Sequence, residues 1–141
     1  MNQSAIFGPF FVMMGLTIVV WLFMFAKRIP FLNSVDIEPN DLTPAKLAEI
    51  SPPAVTNPSD NLKNVFEIPI LFYAMALYLF AVGQVDDLHL IAAWVFVAFR
   101  AVHSAIHCTV NAALARFAAY AVSCLALFFM VIRAAMEFYA G

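Results

Sequence analysis

The chain has 141 residues, of which 65% are hydrophobic and 11% charged, with a mean hydropathy of +0.90. A soluble domain carries about a quarter charged residues, so this composition describes a membrane protein. A formal net charge of −2 and the lack of any basic cluster exclude a nucleic-acid surface, and Cys108 and Cys124, each alone in its own apolar segment, exclude a paired-thiol redox motif.

A spanning helix takes about 20 apolar residues, and four such windows fit, at about 6–26, 64–82, 88–110 and 117–133. They predict an all-α integral membrane four-helix bundle forming a single membrane domain. The first window, Ile6 to Ala26, is uncharged and is followed at once by Lys27 and Arg28. With no basic residue before it, it reads as a retained span rather than a secretory signal. It contains no acid, which argues against a small proton-coupled exporter that depends on a glutamate in its first span. Pro9 falls in the first turn, where its missing N–H has no helical partner in any case.

Lys27 to Lys63 has a different character, holding six of the eight prolines and five of the nine acidic residues. Within it Thr43 caps a short helix over Pro44 to Ile50, broken by Pro52-Pro53, and the rest reads as a loop. The second span opens at Asp60. Continuous helical spacing puts Asp60, Lys63, Asn64 and Glu67 on one face, and Pro69 bends the helix beside Glu67. After the turn Gly83 to Asp87 comes the third span, which carries Arg100, His103, His107 and Asn111 within about 80° of one another at 100° per residue. Arg116 and Arg133 bracket the short fourth window and can extend its reach by snorkelling.

An arginine in mid-span costs about 2.5–3.5 kcal/mol to insert, so such residues face a bundle interior or a wet cavity. The first and third connections carry Lys27, Arg28, Lys46, Lys63 and Arg116, and the other side only Arg133, which places both termini away from the cytoplasm. Asn64, Glu67, His103, His107 and Arg116 can then converge on the cytoplasmic side. These groups suit a zwitterionic or anionic small molecule, with positive charge favouring a thiolate. Other readings of the same residues stand beside this one. Glu67 and Arg100 could neutralise one another, although the 1.5 Å rise places them at depths of about 5 and 16 Å. The histidines could be interhelical hydrogen-bond glue, or two ligands of a metal completed by Glu67.

The run Asn61-Leu62-Lys63-Asn64-Val65-Phe66-Glu67-Ile68-Pro69-Ile70-Leu71-Phe72-Tyr73, followed by Arg100-x-x-His103-x-x-x-His107, resembles the MAPEG family, the membrane-associated proteins in eicosanoid and glutathione metabolism. The likeness covers essentially the whole chain and looks closest to the bacterial branch, which implies a bacterial inner membrane. It implies a homotrimer of four-helix protomers that binds glutathione as co-substrate and meets a lipophilic second substrate from the bilayer. The implied activity is that of a microsomal-type glutathione transferase or peroxidase acting on lipophilic electrophiles or lipid hydroperoxides. By position, Asn64, Glu67, Arg100 and His103 match the family's glutathione contacts, with Lys63 and His107 beside them. Arg116 matches its thiol-activating arginine, and Tyr120 the tyrosine one turn later. His107 stands where well-studied members have a tyrosine, Asp60 where eicosanoid enzymes carry an arginine, and Phe117 where they carry a polar residue. The family also includes a non-catalytic lipid-presenting member, so a lipid-binding or scaffold protein of the same fold is the alternative.

Overall fold

The computed structural model describes residues 2–140, which form six α-helices and no strand among the described residues. A 3-10 turn over Gln3–Ile6, capped by the Asn2 side chain, leads into α1, Phe7–Ser34. A second 3-10 turn, Pro39–Asp41, precedes α2, Pro44–Ile50. Then come α3, Pro53–Val65; α4, Ile68–Val82; α5, Asp87–Cys108; and α6, Ala113–Ala140. Counting α3 and α4 as one interrupted span, four segments are long and apolar enough to cross a membrane. The expected all-α four-helix architecture is what the chain adopts.

Several boundaries differ from the sequence reading. α1 runs on past Lys27 and Arg28 to Ser34, with Pro30 accommodated on an exposed turn. The expected short helix is α2, and the Thr43 hydroxyl accepts from Lys46 N–H at 3.2 Å as an N-cap should. Beyond it the expected loop is in fact helix α3. Pro53 opens this helix at a position where no N–H is needed, and Pro58 sits inside it on the buried face. At the other end, α6 begins before Arg116 and continues past Arg133, so both arginines lie within the helix rather than at its ends.

The interruption between α3 and α4 corrects the expected polar face. Helix stops at Val65, Glu67 has φ −91° and ψ −97°, and Pro69 lies in the first turn of α4. Pro69 has no N–H to offer the carbonyl of Val65, so the ladder cannot continue through this point. Glu67 therefore leaves the face that Asp60, Lys63 and Asn64 share and becomes exposed.

Two turns set the remaining directions. Gly83 ends α4 at φ 71°, a left-handed conformation open to glycine without a Cβ penalty, and Asp86 caps α5 by accepting from His89 N–H at 2.9 Å. After α5, Asn111 takes a left-handed φ of 48° and its N–H reaches back to the Ile106 carbonyl at 2.7 Å, which turns the chain into α6. Asn111 is thus beyond the helix, not part of its stripe.

The apolar core joins Met13, Phe72, Leu79, Phe96, Leu127 and Met130, with the Phe72 and Phe96 rings stacked 4.6 Å apart. Outward-facing positions such as Phe11, Ile18, Leu22, Leu125 and Ile132 are also apolar and exposed, as a lipid-facing surface requires. Polar side chains are drawn inward instead: Asn61, Arg100, His103, Ser104, His107 and Ser123 are all buried.

Candidate functional site

One cleft of about 340 Å³ is lined by Asp60 and Asn64 of α3, His103 and His107 of α5, and Arg116, Phe117 and Tyr120 of α6. Five of the eight residues singled out from the sequence thus meet: Asn64, His103, His107, Arg116 and Tyr120. Three do not line it. Glu67 is exposed beyond the helix break. Lys63 is exposed and pairs with Asp60 at 2.8 Å. Arg100 lies behind the cleft wall, fully buried.

Most of the lining groups are held by a definite neighbour. His103 Nδ1 lies 3.0 Å from the Arg116 carbonyl oxygen. A carbonyl can only accept, so Nδ1 carries the proton and Nε2, buried without a partner, keeps its lone pair when the ring is neutral. The Asn64 amide nitrogen is 3.4 Å from His107 Nδ1. An amide N–H donates, so this nitrogen of His107 accepts and its Nε2 bears the ring proton. The imidazoles meet edge to face at 5.6 Å, and the Tyr120 ring lies 5.8 Å from His103.

Arg116 is steered by Asn111, whose side-chain oxygen accepts from Nη1, while the Asn111 amide donates to Asn57 at 3.1 Å. Among the described residues no carboxylate lies within ion-pair distance of Arg116. Its charge is therefore oriented by a neutral amide and not cancelled. Asp60, the anion at the mouth, is partly offset by Lys63, a pair worth little in water because both side chains are more than half exposed.

Arg100 does not form the ion pair with Glu67 that was one reading of the sequence. No contact with Glu67 falls within ion-pair distance among the described residues; Nη2 donates instead to the Asn64 backbone carbonyl at 2.6 Å. That carbonyl sits one residue before the end of α3, where the helix break frees it from the ladder. The guanidinium also lies over the Tyr120 ring, 5.5 Å from its centre, and so supports the cleft from behind.

Asn57 and Asn61 were not singled out as site residues, and Asn111, expected on the third-span stripe, acts instead from the turn after α5. Asn61 is fully buried, accepting from Ser104 at 3.3 Å and donating to Cys108 Sγ at 3.4 Å. Asn57, Asn61 and Asn64 recur at i, i+4 and i+7, a helical signal hidden by the prolines around them. No group of three or more His, Cys, Asp or Glu suited to a metal ion occurs among the described residues.

No curated protein and no solved structure matches the chain. The MAPEG family model matches residues 6–136, a range that includes all the residues lining this cleft. With that match spanning nearly all of its 141 residues, the four-span membrane chain belongs to the MAPEG family.

Proposed function

We propose that the protein is a glutathione-dependent membrane transferase or peroxidase acting on lipophilic electrophiles or lipid hydroperoxides. The observation that carries this reading is Arg116: a guanidinium lining the cleft, aimed by Asn111 and neutralised by no carboxylate among the described residues. Such a charge lowers the pKa of a bound thiol by favouring the thiolate, which is the nucleophile. His103 Nε2, unpartnered, accepts the thiol proton, and Tyr120 donates to the bound sulfur or leaving group. Asn64 and His107 offer hydrogen bonds to the peptide part of glutathione, with Glu67 and Lys63 at the rim. Arg100 serves as a positioning residue through Asn64 and Tyr120.

In the transferase reaction the thiolate attacks the electrophilic carbon, forming a thioether as the leaving group departs. In the peroxidase reaction it attacks the terminal peroxide oxygen, releasing the alcohol. The resulting sulfenic acid condenses with a second glutathione to give disulfide and water. We place this chemistry in a single four-span membrane domain of a bacterial inner membrane, with both termini away from the cytoplasm and three protomers per assembly.

A second reading, a non-catalytic lipid-binding or scaffold protein, draws on Asp60 and Phe117, an anion and an apolar ring that both line the cleft. Calorimetric titration of glutathione into the detergent-purified protein separates the two. Saturable binding, with a thiolate ultraviolet band that Arg116→Ala abolishes, supports the enzyme. No heat at millimolar glutathione and an unshifted melting temperature refute it.

A further inference from the structure

The His103–Arg116 cleft carries two fixed charges of opposite sign, the Asp60 carboxylate on α3 and the Arg116 guanidinium on α6. They do not meet, since no contact between them falls within ion-pair distance among the described residues. Between them lie neutral hydrogen-bonding groups. Asn64, one turn beyond Asp60 on α3, faces His107 at 3.4 Å, and His103 meets the Arg116 carbonyl at 3.0 Å. The cleft volume of about 340 Å³ falls at the lower end of the range for small-molecule sites, so one ligand spans both charges.

In the glutathione reading, on which this inference rests, Arg116 takes the thiolate, and Asp60 then faces the remainder of the same molecule. Lys63 engages Asp60 through Oδ1 alone, and Oδ2 has no hydrogen-bond partner among the described residues. Lys63 lies outside the cleft lining, and its side chain is 74% exposed against 53% for Asp60. A pair this wet is weak and readily exchanged for another cation. A carboxylate so placed attracts an ammonium group, with charge-assisted hydrogen bonds, and repels a second carboxylate.

We propose that Asp60 is a specificity residue that receives the ammonium group of the thiol donor, so the cleft selects thiols bearing a free amine and disfavours carboxylates at its mouth. Glutathione satisfies this through its γ-glutamyl amine, while its two carboxylates gain nothing from Asp60. An amino-thiol whose carboxylates are esterified or amidated satisfies it better.

The test is calorimetric titration into the full chain in nonionic detergent. It compares glutathione with N-acetylglutathione, which lacks the ammonium group, and with glutathione diethyl ester, which keeps it but has no free carboxylate. N-acetylglutathione binds about tenfold or more weakly than glutathione, and the diethyl ester binds at least as tightly as glutathione. In Asp60→Asn the first two thiols come within about threefold of each other, while the thiolate ultraviolet band of bound glutathione, set by Arg116, remains. Asp60 is exposed, so this variant keeps the wild-type melting temperature. N-acetylglutathione within threefold of glutathione on the wild type overturns the inference and leaves the glutathione reading standing. So does a diethyl ester that binds tenfold more weakly than glutathione, or a preference for the amine that survives in Asp60→Asn. Absence of binding by all three thiols at millimolar concentration overturns the glutathione reading and this inference together.

Discussion

Replacing Asp86 by asparagine removes one charge while leaving a side chain that still caps α5, since asparagine is as good an N-cap as aspartate. Asp86 Oδ1 accepts from Arg133 Nη1 at 2.8 Å, Nη2 holds the second oxygen, and the cap bond from His89 N–H is 2.9 Å. The guanidinium of Arg133 holds the Asp86 carboxyl at about 2, against an ordinary 3.8. That difference corresponds to about 2.4 kcal/mol before screening. The side chain is 42% exposed, and Arg133 keeps Glu137 at 3.1 Å when Asp86 is lost, so about 1 kcal/mol is the contribution to expect. The sign follows from linkage: with the folded pKa depressed, the stability is fully present above pH 3.8 and is lost as pH falls toward 2. Thermal melting in a nonionic detergent should therefore show Asp86→Asn a few degrees below wild type at pH 7, the gap closing between pH 4 and 2. A gap that persists unchanged at pH 2, or is absent at pH 7, refutes the role given to this ion pair.

Arg116→Gln should lower glutathione conjugation by about a hundredfold with little loss of stability, and should move the lower limb of the pH–rate profile upward as the thiol loses its cation. A rate within threefold of wild type, about 0.7 kcal/mol, removes Arg116 from the mechanism. Arg100→Met keeps the volume, frees two buried guanidinium nitrogens from their unpaired state and leaves the Asn64 carbonyl short of one donor; these effects oppose each other, so melting should change by no more than about 1 kcal/mol. Arg100→Ala should cost about 3 kcal/mol by opening a cavity, and equal stability of the two variants contradicts this account. Gly83→Ala meets no atom within 4 Å, so its cost is the left-handed backbone alone, about 1 kcal/mol in the same melting assay; a neutral substitution contradicts the φ of 71°.

The spans were legible because a chain that must hide its backbone from lipid has little choice but long apolar helices, and hydropathy measures that directly. Their ends were not. Pro52, Pro53 and Pro58 carry the local signature of a loop, yet α3 forms because Val55, Pro58, Asn61 and Val65 bury one face and Arg28 of α1 reaches Ser59. Tertiary packing overrides the lost ladder bond at Pro58. Arg116 and Arg133 read as termini because they are charged, but each has an inward or interfacial partner, and the alanine-rich flanks carry the helix through.

The site shows the same division. Polar residues on the third span announced themselves by their solvation cost, and helical spacing alone placed His103 and His107 together. Which partner each polar group finds is a matter of backbone path. Continuous spacing from Asp60 through Glu67 left Glu67 as one possible counter-ion for Arg100 in spite of their different depths, but Pro69 interrupts the helix, Glu67 swings out, and the carbonyl freed at Asn64 takes the guanidinium. A backbone acceptor leaves no mark in a pattern of side chains. The left-handed turn at Asn111 has the same effect on Arg116, giving it an amide where a carboxylate would have cancelled its charge. A neutral partner orients a cation without neutralising it, and that difference separates a structural ion pair from a charge still available to a thiolate.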